Sequence, residues 1–355
     1  MIDIATHPWM SGLLGDEEMA ATFAPAAELQ RLLGIEAAWT RALGEIEGNA
    51  DAEHIALSIE AAPIDPSDLK AGMAKDGVPI PALVRLLREH VGPDLASHVH
   101  TGLTSQDVVD TSLVLALRQV LSLLGTRLDL LDQRLTDQQN TFGYRSMTAY
   151  TRMQPAMETS VHVVINRWRQ PLSALISDIN DAQNKIGIVQ WGGPIGVRDH
   201  AEADALGVAF ARHLGLRDPE KAWHTDRTVL LEVAQLLSRV SIATGKIGED
   251  VALIAVAGTG DIAFKGGGSS AMPHKNNPVK AEALIALADY VATLSATMLR
   301  SARHEGFRSG RAWLLEWLTL PQMCVAAGAG TQLAACLVKE VTCIGSTEES
   351  ERKDQ

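Results

Sequence analysis

The sequence predicts an all-α protein: a bundle of long central helices behind a small N-terminal helical domain. Two observations carry that expectation. Apolar residues make up 46% of the 355 residues but aromatics only 4%, and Ala- and Leu-rich, aromatic-poor chains favour packed helices over sandwiches or barrels. Several long stretches also space their apolar residues by threes and fours, as a helix seam requires.

The first hundred residues contain a shorter helix around residues 28–46, followed by prolines at 63, 66, 79, 81 and 93. This marks 1–100 as a separate helical domain. The central unit, 101–342, opens with the stripe Val114, Leu117, Leu121, Leu124, Leu128, Leu131 and Leu135. A second stripe runs Val161, Ile165, Trp168, Leu172, Leu175 and Ile179, and a third Val229, Val233, Leu236, Val240, Ile247, Val251 and Ile254. A fourth runs Leu284, Leu287, Val291, Leu294 and Met298, and the apolar segment 311–340 supplies a fifth helix. Rods with such seams pack nearly parallel. Residues 343–355 read as a polar, disordered tail.

A net charge of −12 argues against nucleic acid or an anionic membrane as partner, since both need a basic face. The N-terminal MIDIATHPWMSG lacks the basic and apolar regions of a secretion signal, and no uninterrupted apolar run approaches the roughly 20 residues of a membrane span. A cytoplasmic protein is expected. Cys324, Cys336 and Cys343 lack zinc-site spacing and read as buried small hydrophobes. No spacing implies a metal or cofactor.

Three polar clusters are expected to lie at the starts of bundle helices. The first, HTGLTSQD at 100–107, places a capping box, Thr104 to Asp107, at a helix start. Free N–H groups and the helix dipole also make such a start an anion seat. The second, YTRMQP at 150–155, offers Thr151, Arg152 and Gln154 in one turn, a set suited to gripping a carboxylate, with Pro155 fitted to a first helical position. The third, GGGSSAMPHKNNP at 266–278, cannot be regular structure and reads as a mobile lid. A Walker-type phosphate loop fails there, because no glycine directly precedes Lys275 and no serine or threonine follows it.

The run GSSAMPHKNNP at 268–278 resembles the signature of the fumarase/aspartase superfamily, and HTGLTSQDVVDT and TRMQPA resemble that superfamily's other two regions, in order. The resemblance implies a long-helix bundle of that type, with much of the usual C-terminal domain missing. Arg152 stands where amine-releasing members such as adenylosuccinate lyase carry a histidine. RSGRAWLLEWLTLPQ at 308–322 and the N-terminal HPWMSGLLGDEEMAATF are more similar to the cycloisomerising branch. Asn276, where arginine is common, and Lys280 depart from the pattern.

The resemblance implies that a carboxylate oxygen adds across a conjugated double bond to close a lactone, while the neighbouring carbon gains a proton. Charge on that carbon must delocalise into an adjacent carboxylate held by cations and N–H donors. Ser269, or Ser270 beside it, is expected to move the proton, activated by Lys275, loop N–H groups and nearby helix starts. Lys275, Asn277, Thr104 and Ser105 are expected to bind carboxylates, with Glu282 facing Arg152. A carboxylate leaving group in the reverse direction needs little protonation, so a fixed cation can replace an acid. His100, Arg227 and His224 are further binding candidates, for each of which a structural hydrogen bond is the alternative, and HEGFR at 304–308 has the same ambiguity.

If the helices alternate in direction, the helix start near 107 lies at the opposite end of the bundle from those near 155 and 279. One subunit then cannot unite the three clusters, and a homotetramer sharing sites between subunits, as the resemblance implies, is expected. The resemblance implies a small tricarboxylate as partner. Within the fold the rival is adenylosuccinate lyase, and outside it a non-catalytic helical scaffold.

Overall fold

The computed structural model describes residues 7–258, 261–268, 272 and 276–346. The N-terminal part contains α1 (Ser11–Leu14), α2 (Glu17–Ala21), α3 (Pro25–Glu47), α4 (Ala52–Glu60), α5 (Lys70–Asp76) and α6 (Ile80–Val91). The bundle is built from α7 (Ser105–Phe142), α8 (Val161–Ile186), α10 (Thr228–Ala257), α11 (Val279–Ser301) and α12 (Gly310–Glu340), with the short α9 (Ala203–His213) packed on α3. Two two-stranded antiparallel pairs complete it: the hairpin of β1 (Ser146–Thr151) with β2 (Gln154–Ser160), and the long-range pair of β3 (Ile262–Phe264) with β4 (Val341–Ile344).

The seams explain the bundle. Every apolar residue of the first stripe, from Val114 to Leu135, is fully buried, and α7 packs on α8 and α12 while α10 packs on α8, α11 and α12. The second stripe is buried throughout. Backbones approach closely where glycine allows it: a Cβ at Gly248 would meet the Ala281 carbonyl at 2.7 Å and Leu284 Cβ at 2.9 Å. One apolar cluster runs from Met19 through the bundle to Ile344, so the N-terminal helices share the core of the rest. The boundary drawn at 343 falls inside β4, which reaches Ile344.

Three sequence expectations are corrected. Pro155 does not open a helix: it lies in β2, and α8 begins at Val161. Of the cysteines only Cys324 is buried; Cys336 is exposed on the outer face of α12 and Cys343 is half-buried in β4. Finally, α7, α11 and α12 are each long and apolar enough to cross a membrane by length and composition, because a few tolerated charges join apolar runs that the sequence shows as interrupted. In α7 and α12 that apolar surface is spent on the core, 61% and 67% buried, whereas in α11 only 28% is buried.

The direction of the helices separates the ends of the bundle. One end gathers the start of α7, the 190–193 loop, the start of α10 and the start of α12, linked by Asp107, Gln190, Arg227 and Trp313. The other end gathers the β1–β2 hairpin, β3–β4 and the start of α11. Ser346 bridges Ser146, Gly345 N–H donates to the Asp261 carbonyl at 2.7 Å, and Lys280 pairs with Glu340 at 2.6 Å. With 38 residues in α7, the two ends are about 57 Å apart at about 1.5 Å per residue.

Candidate active site

At the first end, the start of α7 is capped and anchored. Asp107 Oδ2 accepts the Thr104 N–H at 3.0 Å, closing the capping box foreseen in the sequence. The same carboxylate accepts the N–H groups of Gly192 and Gly193, each at 3.0 Å, and contacts His224 Nε2 at 2.7 Å. Burial pushes the Asp107 carboxyl up from its ordinary range, against the opposing pull of His224. Thr104 and Ser105, one residue apart at the cap, remain half-buried and accessible.

One turn on, Asp110 gathers a buried polar node. It accepts Arg227 Nη1 at 2.7 Å and Nη2 at 3.0 Å, Gln106 Nε2 at 3.0 Å, Gln190 Nε2 at 3.2 Å and Trp313 Nε1 at 3.2 Å. Arg227 also donates from Nε at 2.9 Å and Nη2 at 2.7 Å to Glu316. Burial raises the Asp110 carboxyl, but the Arg227 charge outweighs it and holds the group below its ordinary value. Arg227 is only 2% exposed, so its guanidinium fixes helix starts to one another; the structural alternative weighed for it describes its surroundings, as the Asp107 contact does for the buried His224. In the HEGFR cluster, His304 is enclosed, 3.5 Å from Glu316, with neither ring nitrogen hydrogen-bonded among the described residues, while Arg308 Nε donates to Gln106 Oε1 at 2.8 Å.

His100 has a different setting. Its backbone is left-handed at φ 64°, uncommon for a non-glycine residue, and its Nδ1 lies 2.7 Å from Oε1 of the fully buried Glu36 on α3. Burial opposes an imidazolium there, yet the Glu36 charge prevails and raises its pKa. Glu36, Gln190 and Trp313 were not singled out as site groups from the sequence. The detectable signal for Glu36 was an acid set among the apolar residues of α3.

At the second end, Thr151, Arg152 and Gln154 form the tip of the β1–β2 hairpin, with Thr151 paired to Gln154. Arg152 and Met153 occupy the turn with φ 50° and 63°, the two positive values of a type I′ turn, which ordinarily favours Asn-Gly. The guanidinium thus projects from a short, exposed and strained turn. Nearby, Gly267 pairs with Asn277 in both directions, its N–H donating at 3.0 Å and its carbonyl accepting at 2.9 Å. Asn276 Nδ2 donates to the Phe264 carbonyl at 2.6 Å. A Cβ at Gly266 would lie 2.6 Å from the Asn277 carbonyl, so a larger residue there would force the backbone of this neck to shift. Ser269, Ser270 and Lys275 lie outside the described residues. Glu282 is exposed on the first turn of α11, and among the described residues neither it nor Arg152 has an ion-pair partner.

The long-helix bundle is the fold of a helical lyase. Residues 21–292 match the lyase family, and the chain belongs to it, with the long-helix bundle of the fumarase/aspartase fold. The chain is 33% identical over 351 residues to the 3-carboxy-cis,cis-muconate cycloisomerase of Pseudomonas aeruginosa, covering 96% of this chain and 76% of that one. It is 32% identical over 346 residues to the Pseudomonas putida enzyme of the same name, covering 91% and 79%. The solved 3-carboxy-cis,cis-muconate lactonizing enzyme from Pseudomonas putida superposes with a TM-score of 0.88 at 29% identity, over 95% of this chain and 77% of that one.

Proposed function

We propose that this chain converts 3-carboxy-cis,cis-muconate to 4-carboxymuconolactone, in protocatechuate breakdown through the β-ketoadipate route in the cytoplasm. The observation that carries the reading is the 33% identity to a cycloisomerase across 96% of the chain, joined to arginine rather than histidine at 152. A substrate carboxylate oxygen forms the new C–O bond at one carbon of a double bond, the π pair moves to the neighbouring carbon, and that carbon takes a proton. The product is an isomer, so no atoms are lost. Ser269 or Ser270 gives that proton in the lactone-forming direction and, as an alkoxide eased by Lys275, removes it in reverse.

The carbanion is tolerable because its charge spreads into a carboxylate met by cations and N–H donors. Lys275, Asn277, Thr151, Arg152 and Gln154 supply these at one end of a bundle, with Glu282 balancing Arg152. Thr104, Ser105 and His100 supply them at the other end, and Arg227 supports that seat from beneath. Because about 57 Å separates the ends of one α7, a complete site needs several copies, and a homotetramer with antiparallel neighbours meets that need. Ile242, Val256 and Leu299, at 62%, 82% and 57% exposure, offer apolar contacts on α10 and α11 for such an assembly; burying them would favour association.

Incubating the purified protein with 3-carboxy-cis,cis-muconate and following the ultraviolet change tests the reading. Conversion to the lactone supports it, and turnover of adenylosuccinate alone overturns it in favour of the related lyase. Replacing both Ser269 and Ser270 by alanine should abolish turnover, whereas unaltered turnover would place the proton-transfer group elsewhere.

A further inference from the structure

We propose that Glu36 is a positioning residue that holds His100 as a carboxylate-facing cation beside Thr104 and Ser105 at the start of α7. The inference rests on the cycloisomerase reading for the identity of the carboxylate, while the Glu36–His100 pairing itself does not.

The geometry is over-determined around a strained residue. His100 is left-handed at φ 64°, a strained conformation that persists only where surrounding contacts impose it. Those contacts come from several elements. Arg88 Nη2 of α6 donates to the Val99 carbonyl at 3.0 Å, Trp39 Nε1 of α3 donates to the Thr101 carbonyl at 2.7 Å, and Thr101 Oγ1 donates to the Ser97 carbonyl at 2.5 Å. Glu36 sits one turn before Trp39 on the same face of α3 and takes His100 Nδ1. Trp39 is itself locked against Trp191 and Phe210, with ring centroids 5.0 and 5.2 Å away. The strand of loop entering α7 is therefore clamped on both sides of one imidazole.

That imidazole is set up to carry charge. Glu36 is fully buried, and among the described residues its Oε2 has no hydrogen-bond partner and its Oε1 meets His100. The other charged groups acting on His100 are Asp107 of α7, which favours the cation, and Arg88 of α6, which opposes it. With Nδ1 taken by Glu36, Nε2 has no partner among the described residues, and the side chain keeps 14% of its surface exposed. A substrate carboxylate arriving at Thr104 and Ser105 would thus meet a fixed N–H donor bearing positive charge as well as helix-start N–H groups.

The test uses Glu36→Gln, His100→Gln and the double variant in the intact protein. Loss of a charge-assisted contact predicts that E36Q raises KM by about 10- to 100-fold with a smaller change in kcat. The alkaline limb of kcat/KM should fall by about one to two pH units. E36Q should add little to the loss already caused by H100Q, and Glu36→Asp should restore part of the activity. Independently of turnover, labelling by diethyl pyrocarbonate, read for the His100 peptide by mass spectrometry across pH, should show its midpoint displaced downward in E36Q. If the wild-type protein fails to convert 3-carboxy-cis,cis-muconate yet the midpoint moves, the functional reading falls and the pairing stands. An unmoved midpoint, equal losses on the two backgrounds, or failure of both E36Q and E36D to fold by circular dichroism would overturn the positioning role.

Discussion

At the scale of single residues, buried charge decides what each group does. Arg227 satisfies two carboxylates, Asp110 and Glu316, while almost wholly enclosed. Removing it by Arg227→Met would leave both uncompensated and should cost about 3–5 kcal/mol, measurable by urea denaturation. A loss below about 1 kcal/mol, the range of exposed pairs, would contradict the node. His100 gives a pH signature. Its folded pKa is raised by Glu36, so the stability it contributes is fully present below the unfolded value of about 6.5 and disappears as pH rises through the folded value. The melting-temperature gap between wild type and H100Q should therefore be larger at acid than at alkaline pH, and a gap that widened toward alkali would reverse the assigned sign. The sequence offered Arg227 as a possible substrate contact, with a structural hydrogen bond as the alternative. It does not show that Glu316, 89 positions away, converges on the same guanidinium.

At the scale of elements, legibility followed periodicity. The stripes of α7 and α8 became buried seams because a spacing of threes and fours is the spacing of a helix face. The β1–β2 hairpin was not legible for the converse reason: Arg-Met is an unusual pair for a type I′ turn, and a proline after a polar turn suggests a helix start. Of the third cluster, the start of α11 at Val279 lies where the sequence suggested, whereas the pairing of Gly267 with Asn277 was not foreseen. The α10–α11 contact supplies the element-scale prediction. Gly248→Ala would push a methyl to within 2.7 Å of the Ala281 carbonyl, forcing the helices apart at a cost of about 1–3 kcal/mol. Thermal melting of that variant should show the loss, and an unchanged melting temperature would mean the helices are less closely held.

At the scale of the whole molecule, the helix directions divide one set of proposed carboxylate-binding groups from the other. Thr104 and Ser105 sit at the start of α7, while Arg152, Gly267 and Asn277 sit beyond its far end. The sequence contained this separation in its helix lengths, but not the β3–β4 pair that ties the second end together, since those strands lie some eighty residues apart in the chain. The direct measurement is subunit mixing. A variant lacking the first seat, T104A with S105A, and a variant lacking the second, R152A, are each assayed alone with 3-carboxy-cis,cis-muconate and again after dissociation and reassociation together. Sites shared between copies predict that two nearly inactive preparations regain a substantial fraction of wild-type turnover on mixing, whereas reassociated hybrids no more active than their parents would contradict a site built across subunits.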